Sequence, residues 1–274
     1  MKFNSIFKSC LFAGLLFAKF SGAQHVSLSP SRLYYKVGEG EYKTQTVNVT
    51  NNATVKQSFT VSFADFEPAG YQGKSKFMEA GESENSCSKW LTASPSYFEL
   101  EPGQTQKIDV LIQVPQSPDA NKVKWSAMRI KLSKEKTAPA SGNKDAIGMG
   151  IMETFQFVVH IFQSPPNITL KSAEISSFKE VSIPTDSVHT LALMVKNTGE
   201  AILDCASYLE ITNLGDGKEE RMKPIAFTVL PNAEREVKFN LNTMLGKGKY
   251  SIMGVVDYGS RENVQAAELQ LEIK

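Results

Sequence analysis

Three histidines, two cysteines beyond the first 23 residues and a few close carboxylates are the side chains here that could do chemistry. His25, His160 and His189 lie far apart in strand-like surroundings. A triad can assemble from distant residues, but no G-x-S-x-G elbow and no H-E-x-x-H helix is present to seat one. Gly148-Met149-Gly150 and Gly246-Lys247-Gly248 open no helix, so neither is a phosphate loop; the first eases close backbone approach in a strand and the second is a turn. Glu219 and Glu220 read as solvated members of a charged hairpin. Cys87 and Cys205 have no clustered histidines with which to build a zinc site. An exported chain can pair two cysteines, but the sequence does not bring these two together; placed in different domains, they read as free or half-buried thiols. No catalytic residue, metal ligand or cofactor is assigned, and the chain reads as a non-enzyme.

Residues 1–23 have the grammar of a cleavable secretory signal: Lys2 and Lys8 form a positive start, Cys10–Ala18 a short apolar core, and Ser21-Gly22-Ala23 the small cleavage residues. The apolar core is too short to span a bilayer, and no later run approaches that length. Removing Lys2, Lys8 and Lys19 takes the formal charge from +1 to −2. That balance gives no electrostatic reason to invoke nucleic acid or insertion into an anionic membrane. The remaining chain, about 250 residues, has room for two domains.

The elements that must position any site are strands. Ala146–Pro166 carries apolar residues at Ile147, Met149, Ile151, Phe155, Phe157, Val159 and Ile161, with Glu153 breaking the run. Period-two alternation predicts a strand with one dry face. It is far longer than the usual strand of about five or six residues, so part packs within a domain and part does something else. Pro165 and Pro166 end it, because neither has an N–H to give to a ladder. Upstream, Val26–Leu28 and Arg32–Lys36 form a strand interrupted at Pro30, which marks an edge or a switch between sheets. Further strands are expected at Thr44–Asn51, Gln57–Phe66, Lys89–Thr92, Tyr97–Leu100, Gln106–Val114 and Trp125–Leu132. The polar stretches at 67–88 and 133–145 read as loops. After Pro166 the grammar restarts, with strands at Ile168–Ile175, Thr190–Asn197, Leu203–Thr212, Ile225–Val229, Glu236–Leu241, Tyr250–Tyr258 and Ala266–Ile273. Helical spacing is absent throughout. Short strands separated by turn signals predict an all-β chain of two immunoglobulin-like β-sandwiches in tandem, over residues 24–164 and 165–274. Gly248-Lys249-Tyr250-Ser251-Ile252 fits the tyrosine corner of such folds.

Several residues then align with a known family. Val26-Ser27-Leu28-Ser29-Pro30-Ser31-Arg32 resembles the opening strand of the periplasmic pilus-assembly chaperones. Val47-Asn48-Val49-Thr50-Asn51 is similar to their second strand, and Val159-His160-Ile161-Phe162 before Pro165 to the end of the strand that leads into their hinge. The resemblance covers roughly residues 25–165. It implies a non-enzymatic periplasmic protein that caps a pilus or surface-fibre subunit by donating an edge strand, and that works with an outer-membrane usher. It further implies that Ile147, Met149 and Ile151 are donor-strand residues and that Arg32 anchors the subunit's terminal carboxylate. His160 stands where the family has a second anchoring cation, a lysine. An outward apolar edge also invites self-capping as a dimer.

Each role has an ordinary counterpart. Arg32 is by default a surface side chain, His160 a satisfied structural histidine, and Ile147, Met149 and Ile151 residues of their own core. The second half resembles a generic bacterial immunoglobulin-like module more than a chaperone C-terminal domain. The Trp90…Pro95…Leu100-Glu101-Pro102-Gly103…Val114-Pro115 pattern also resembles the N-terminal domain of Gram-positive WxL-interacting surface proteins, which carry a C-terminal membrane anchor that is not legible here. The rival function is therefore a structural or adhesive surface protein that binds a wall component or a protein partner.

Overall fold

The computed structural model describes residues 25–133, 155–182, 188–241 and 245–273. Three expectations lie outside that range: the signal segment at 1–23, all but the first residue of the loop at 133–145, and the donor-strand role of Ile147, Met149 and Ile151. Among the described residues there is no α-helix, only two short 3-10 turns at Ser88–Trp90 and Pro118–Asn121.

Pro30 divides the opening strand between two sheets, as its missing N–H requires. β1 (Val26–Ser29) pairs antiparallel with β3 (Tyr42–Asn51), while β2 (Arg32–Lys36) crosses over and pairs parallel with a later strand, β10 (Gln156–Ser164). Of the strands between them, β4 (Gln57–Ala69), β5 (Lys74–Met78), β7 (Tyr97–Leu100) and β9 (Lys124–Ser133) join β2 and β10 in one sheet. β6 (Leu91–Ser94) and β8 (Thr105–Gln113) join β1 and β3 in the other. Alternation decides what faces inward: Val47, Val49, Ile108, Val110 and Ile112 from one sheet meet Leu33, Phe59, Met128, Ile130 and Ile161 from the other. Tyr35 is also buried there, and its hydroxyl donates to the Val110 carbonyl at 2.6 Å, which bonds the two sheets together.

The second sandwich packs β11 (Ala173–Glu180), β12 (Thr190–Asn197) and β16 (Glu234–Asn240) against a larger sheet. That sheet holds β13 (Leu203–Asn213), β14 (Glu219–Arg221), β15 (Ile225–Val229), β17 (Gly248–Asp257) and β18 (Gln265–Ile273). The tyrosine corner is present: the Tyr250 hydroxyl donates to the Gly246 carbonyl at 2.9 Å. One buried device recurs in both sandwiches. Asn51 ends β3 and gives its amide hydrogens to the carbonyls of Val55 and Leu100, while its oxygen accepts from Ala53 N–H. Asn197 ends β12 and does the same with Ala201, Val229 and Gly199. An asparagine supplies both donors and the acceptor that a buried turn needs, and no apolar residue can.

Three expected elements are corrected. The stretch at 67–88 is not simply a loop: β4 runs on to Ala69 and folds back as β5, through a turn in which Gly70 and Gly73 have φ of +65° and +72°. Phe66 and Phe77 pair across this hairpin with ring centroids 6.3 Å apart. Its few apolar residues and outward lysines concealed it. The rest of the stretch is fastened to the buried Asp65 carboxylate, which accepts from Gly81 N–H, Ser83 N–H and Ser86 Oγ at 2.6–3.0 Å. Lys89–Thr92 is not one strand, because the Ser88–Trp90 turn occupies its start. The strand expected at Ile168–Ile175 begins instead at Ala173, since Ile168 N–H bonds back to Pro165 O in a turn and its side chain packs between the sandwiches.

Candidate functional site

The sequence pattern does not show where the two sandwiches touch. Phe66, Val123, Trp125, Ala127 and Phe162 from the first meet Ile202 and Leu230 from the second in one apolar cluster. This explains why β10 does not alternate to its end. Ile161 faces the core of its own sandwich, while Phe162 on the opposite face is covered by the second sandwich and is also buried. The indole N–H of Trp125 donates to Phe66 O at 2.9 Å and fixes the ring in this contact.

Arg32 and His160 are brought together on the same face. They are direct partners in the parallel pairing of β2 with β10, and His160 N–H donates to Ser31 O at 3.1 Å. Because Leu33 and Ile161 point into the core, Arg32 and His160 point the other way, into the cleft. Both line a cavity of about 180 Å³ between the sandwiches. The His160 ring meets the Phe66 ring edge-on at 4.9 Å. Burial, and then the Arg32 charge, lower its pKa below the usual histidine range. A neutral imidazole is therefore the resting form at neutral pH, and the second anchor expected from the sequence is uncharged there.

Arg32 is held loosely. Its side chain is about half exposed, and its Nη1 lies 4.0 Å from Asp204 Oδ1 across the cleft. That same oxygen already accepts hydrogen bonds from Tyr34 Oη and Thr228 Oγ1, each at 2.9 Å. An exposed pair of this kind contributes between about 0 and 1 kcal/mol, so a better acceptor can take the guanidinium. Tyr34 itself stacks on Phe162 at 5.2 Å.

The second sandwich contributes a residue with no counterpart in the sequence pattern of the site. Arg235, on β16, lines the same cavity. Its guanidinium lies across Gly73 in the β4–β5 hairpin, where a Cβ would fall 0.9 Å from Nη1. Next to it, Glu236 N–H donates to Tyr71 O at 2.8 Å and ties the hairpin tip to β16. Arg235 shares parity with the buried Val237 and Phe239, so a cation in the apolar phase of a strand was the legible signal.

The first half of β10 has an open side. β2 pairs with β10 from His160 to Ser164, and among the described residues no strand pairs with Gln156–Val159 on that side. Cys87 and Cys205 are buried and unpaired, and burial pushes both thiols up to about 12. His189 bonds Glu180 at 2.7 Å in the second sandwich, away from His160. Among the described residues no three His, Cys, Asp or Glu side chains converge on a metal-sized site. Nor is any described helix long and apolar enough to cross a membrane.

No protein-family profile matches the chain, and no curated protein does. Solved structures of similar shape are found. The chain is similar to the E. coli chaperone DraB at 15% identity, over 89% of this chain and 98% of that one, with a TM-score of 0.44. It is similar to a chain of the CsuC–CsuE chaperone–tip adhesion subunit pre-assembly complex from Acinetobacter baumannii at 12% identity, over 89% and 97%, with a TM-score of 0.45. For a chain of the Salmonella enterica SafA pilin–SafB chaperone complex the values are 15%, 89%, 96% and 0.43. At such distances, roles have to come from the chain's own residues.

Proposed function

We propose that the protein is a non-enzymatic chaperone of the bacterial periplasm, exported by the signal at residues 1–23, that caps subunits of a pilus or other surface fibre. A subunit that lacks its last strand exposes an apolar groove, and a donated edge strand supplies both the missing ladder and the side chains that fill the groove. The donor is the chain leading into β10, with Ile147, Met149 and Ile151 as the filling residues. The single observation that carries this reading is the arrangement along β10. Its N-terminal half offers an edge, and its C-terminal half sets His160 beside Arg32 at the mouth of the cleft. A strand added along that edge would bring its chain end to Arg32, whose planar guanidinium suits a carboxylate. The fibre subunit is the partner, with an outer-membrane usher receiving the complex and a self-capped dimer as the resting form.

The test is purification of the tagged protein from periplasm under native conditions, followed by mass spectrometry. An immature fibre subunit should accompany the protein at near-equal amounts, while finished fibres should lack it. Finding it as a stable component of finished fibres or of the cell surface would replace this reading with the structural-protein one.

A further inference from the structure

The arrangement of charge in the cleft leaves a gap in the capping reading. A carboxylate bound at Arg32 would find a neutral His160 beside it, not a second cation. Another cationic donor stands across the interface. We propose that Arg235, on the second sandwich, is the second cation of a carboxylate seat whose first is Arg32, so that one bound carboxylate bridges the two sandwiches. The proposal rests on the capping reading for the source of the carboxylate, but not for the seat itself.

Four observations carry it. Arg32 and Arg235 line the same cavity, and its volume of about 180 Å³ holds several waters or a small carboxylate with its adjoining side chain. Arg235 has no ion pair among the described residues, and its Nε–H is buried without an acceptor. Buried donors in native proteins are nearly always satisfied, so this orphan leaves the Arg235 guanidinium with unused hydrogen-bonding capacity. Arg32 likewise has no acidic partner nearer than an Asp204 oxygen at 4.0 Å that two hydroxyls already occupy, with the neutral Tyr34 hydroxyl as its other neighbour. Lys74 adds a third cation to the lining, against Glu234 as its acid. The fourth observation is positional. The Arg235 guanidinium occupies the space where a side chain at residue 73 would sit, which only Gly73 leaves free, and the bond from Glu236 N–H to Tyr71 O holds that hairpin in place. The two arginines feel each other: burial and then the Arg32 charge lower the pKa of Arg235. An anion between them relieves that repulsion, and a carboxylate matches two planar forks.

The seat is tested on the full mature chain by following the arginine Nε–H resonances during titration. The probes are N-acetylvaline, which has a chain-end carboxylate, N-acetylaspartic acid α-amide, which has a side-chain one, and N-acetylvalinamide, which has neither. Both carboxylates should shift the Arg32 and Arg235 signals together and saturably, and the amide should shift neither. The tighter of the two carboxylates identifies the source, and either order supports the seat. Arg235→Gln should weaken carboxylate binding roughly ten- to a hundredfold, the loss of a charge-assisted hydrogen bond. It should leave the unfolding temperature at the parent value, since Arg235 has no ion pair to lose among the described residues. If Arg32 responds while Arg235 Nε–H stays unmoved, or if Arg235→Gln binds like the parent, the bridging seat is wrong. Capping through Arg32 would stand in that case, and falls separately if no fibre subunit is recovered with the protein. A silent response from both arginines removes the seat altogether.

Discussion

Removing the Asn51 side chain tests the reasoning about buried turns most directly. Asn51→Ala deletes three hydrogen bonds, at 2.9 Å each, to Val55 O, Leu100 O and Ala53 N–H. Each is worth about 0.5–1.5 kcal/mol net, and the groups left at buried Leu100 and Ala53 lose their partners away from water, so the loss should be about 3–4 kcal/mol. Domain stabilities lie at about 5–15 kcal/mol, so the variant should fold but with a much smaller margin. Both tryptophans, Trp90 and Trp125, lie in the first sandwich, so their fluorescence reports on the half that carries Asn51. With a urea slope of about 2 kcal/mol per molar, the fluorescence midpoint should fall by about 1.5–2 M. Asn197→Ala removes the equivalent bonds from the second sandwich and should lower the far-UV circular dichroism midpoint more than the fluorescence one. Asn51→Asp refines the test: it keeps the acceptor for Ala53 N–H but turns an oxygen toward two carbonyls. Burial and those carbonyls raise the pKa of the new acid, so stability should recover as pH falls and the acid becomes a donor. An Asn51→Ala midpoint within about 0.3 M of the parent would refute the claim that these bonds hold the turn.

Other outcomes follow from the cleft and from the buried acid. Arg32→Ala should weaken binding of a peptide that carries the chain end of the fibre subunit at every pH, by about 2–5 kcal/mol if the bound strand buries the arginine–carboxylate pair, as read by calorimetry. Because burial and Arg32 lower the His160 pKa in the free protein, binding should strengthen as pH falls and His160 gains its proton beside the carboxylate, and His160→Lys should abolish that dependence. A free-protein His160 ring that titrates at or above the ordinary histidine value of about 6.5, as followed by NMR, would contradict the buried, neutral assignment. At Asp65, burial alone would raise the pKa, but hydrogen bonds from Ser86, Ser83, Ser88 and Gly81 outweigh it and hold the carboxyl below its usual range. Its stabilisation is therefore complete above about pH 3.9 and lost as pH falls through the lower folded value. Asp65→Asn should cost about 2–4 kcal/mol at pH 7, and the gap to the parent should close in acid urea titrations. Met149→Asp or Ile151→Asp should abolish capture of the fibre subunit with little change in thermal stability, and unfolding of the first sandwich would place these residues in its core instead.

Local rules were enough to read most strands from the sequence. Period-two alternation over Gln106–Val114 and Thr190–Asn197, and the proline that splits Val26–Lys36, are consequences of backbone geometry acting over a few residues. Tyr250 announced its corner for the same reason, since its partner lies four residues away. The β4–β5 hairpin escaped because its stabilisation comes from Phe66 against Phe77 and from Asp65 gathering a distant loop, not from any repeating pattern. Arg32 and His160 could be named from a resemblance, but their adjacency depends on a parallel pairing across more than a hundred intervening residues. The chemical state of His160 was not legible at all, because desolvation is set by Phe66 and by a second sandwich whose docking no local pattern encodes. Arg235 shows the same division. Its odd place in the apolar phase of β16 is written in the sequence, but that it reaches Gly73 and shares a cavity with Arg32 was decided only when the two halves of the chain packed together.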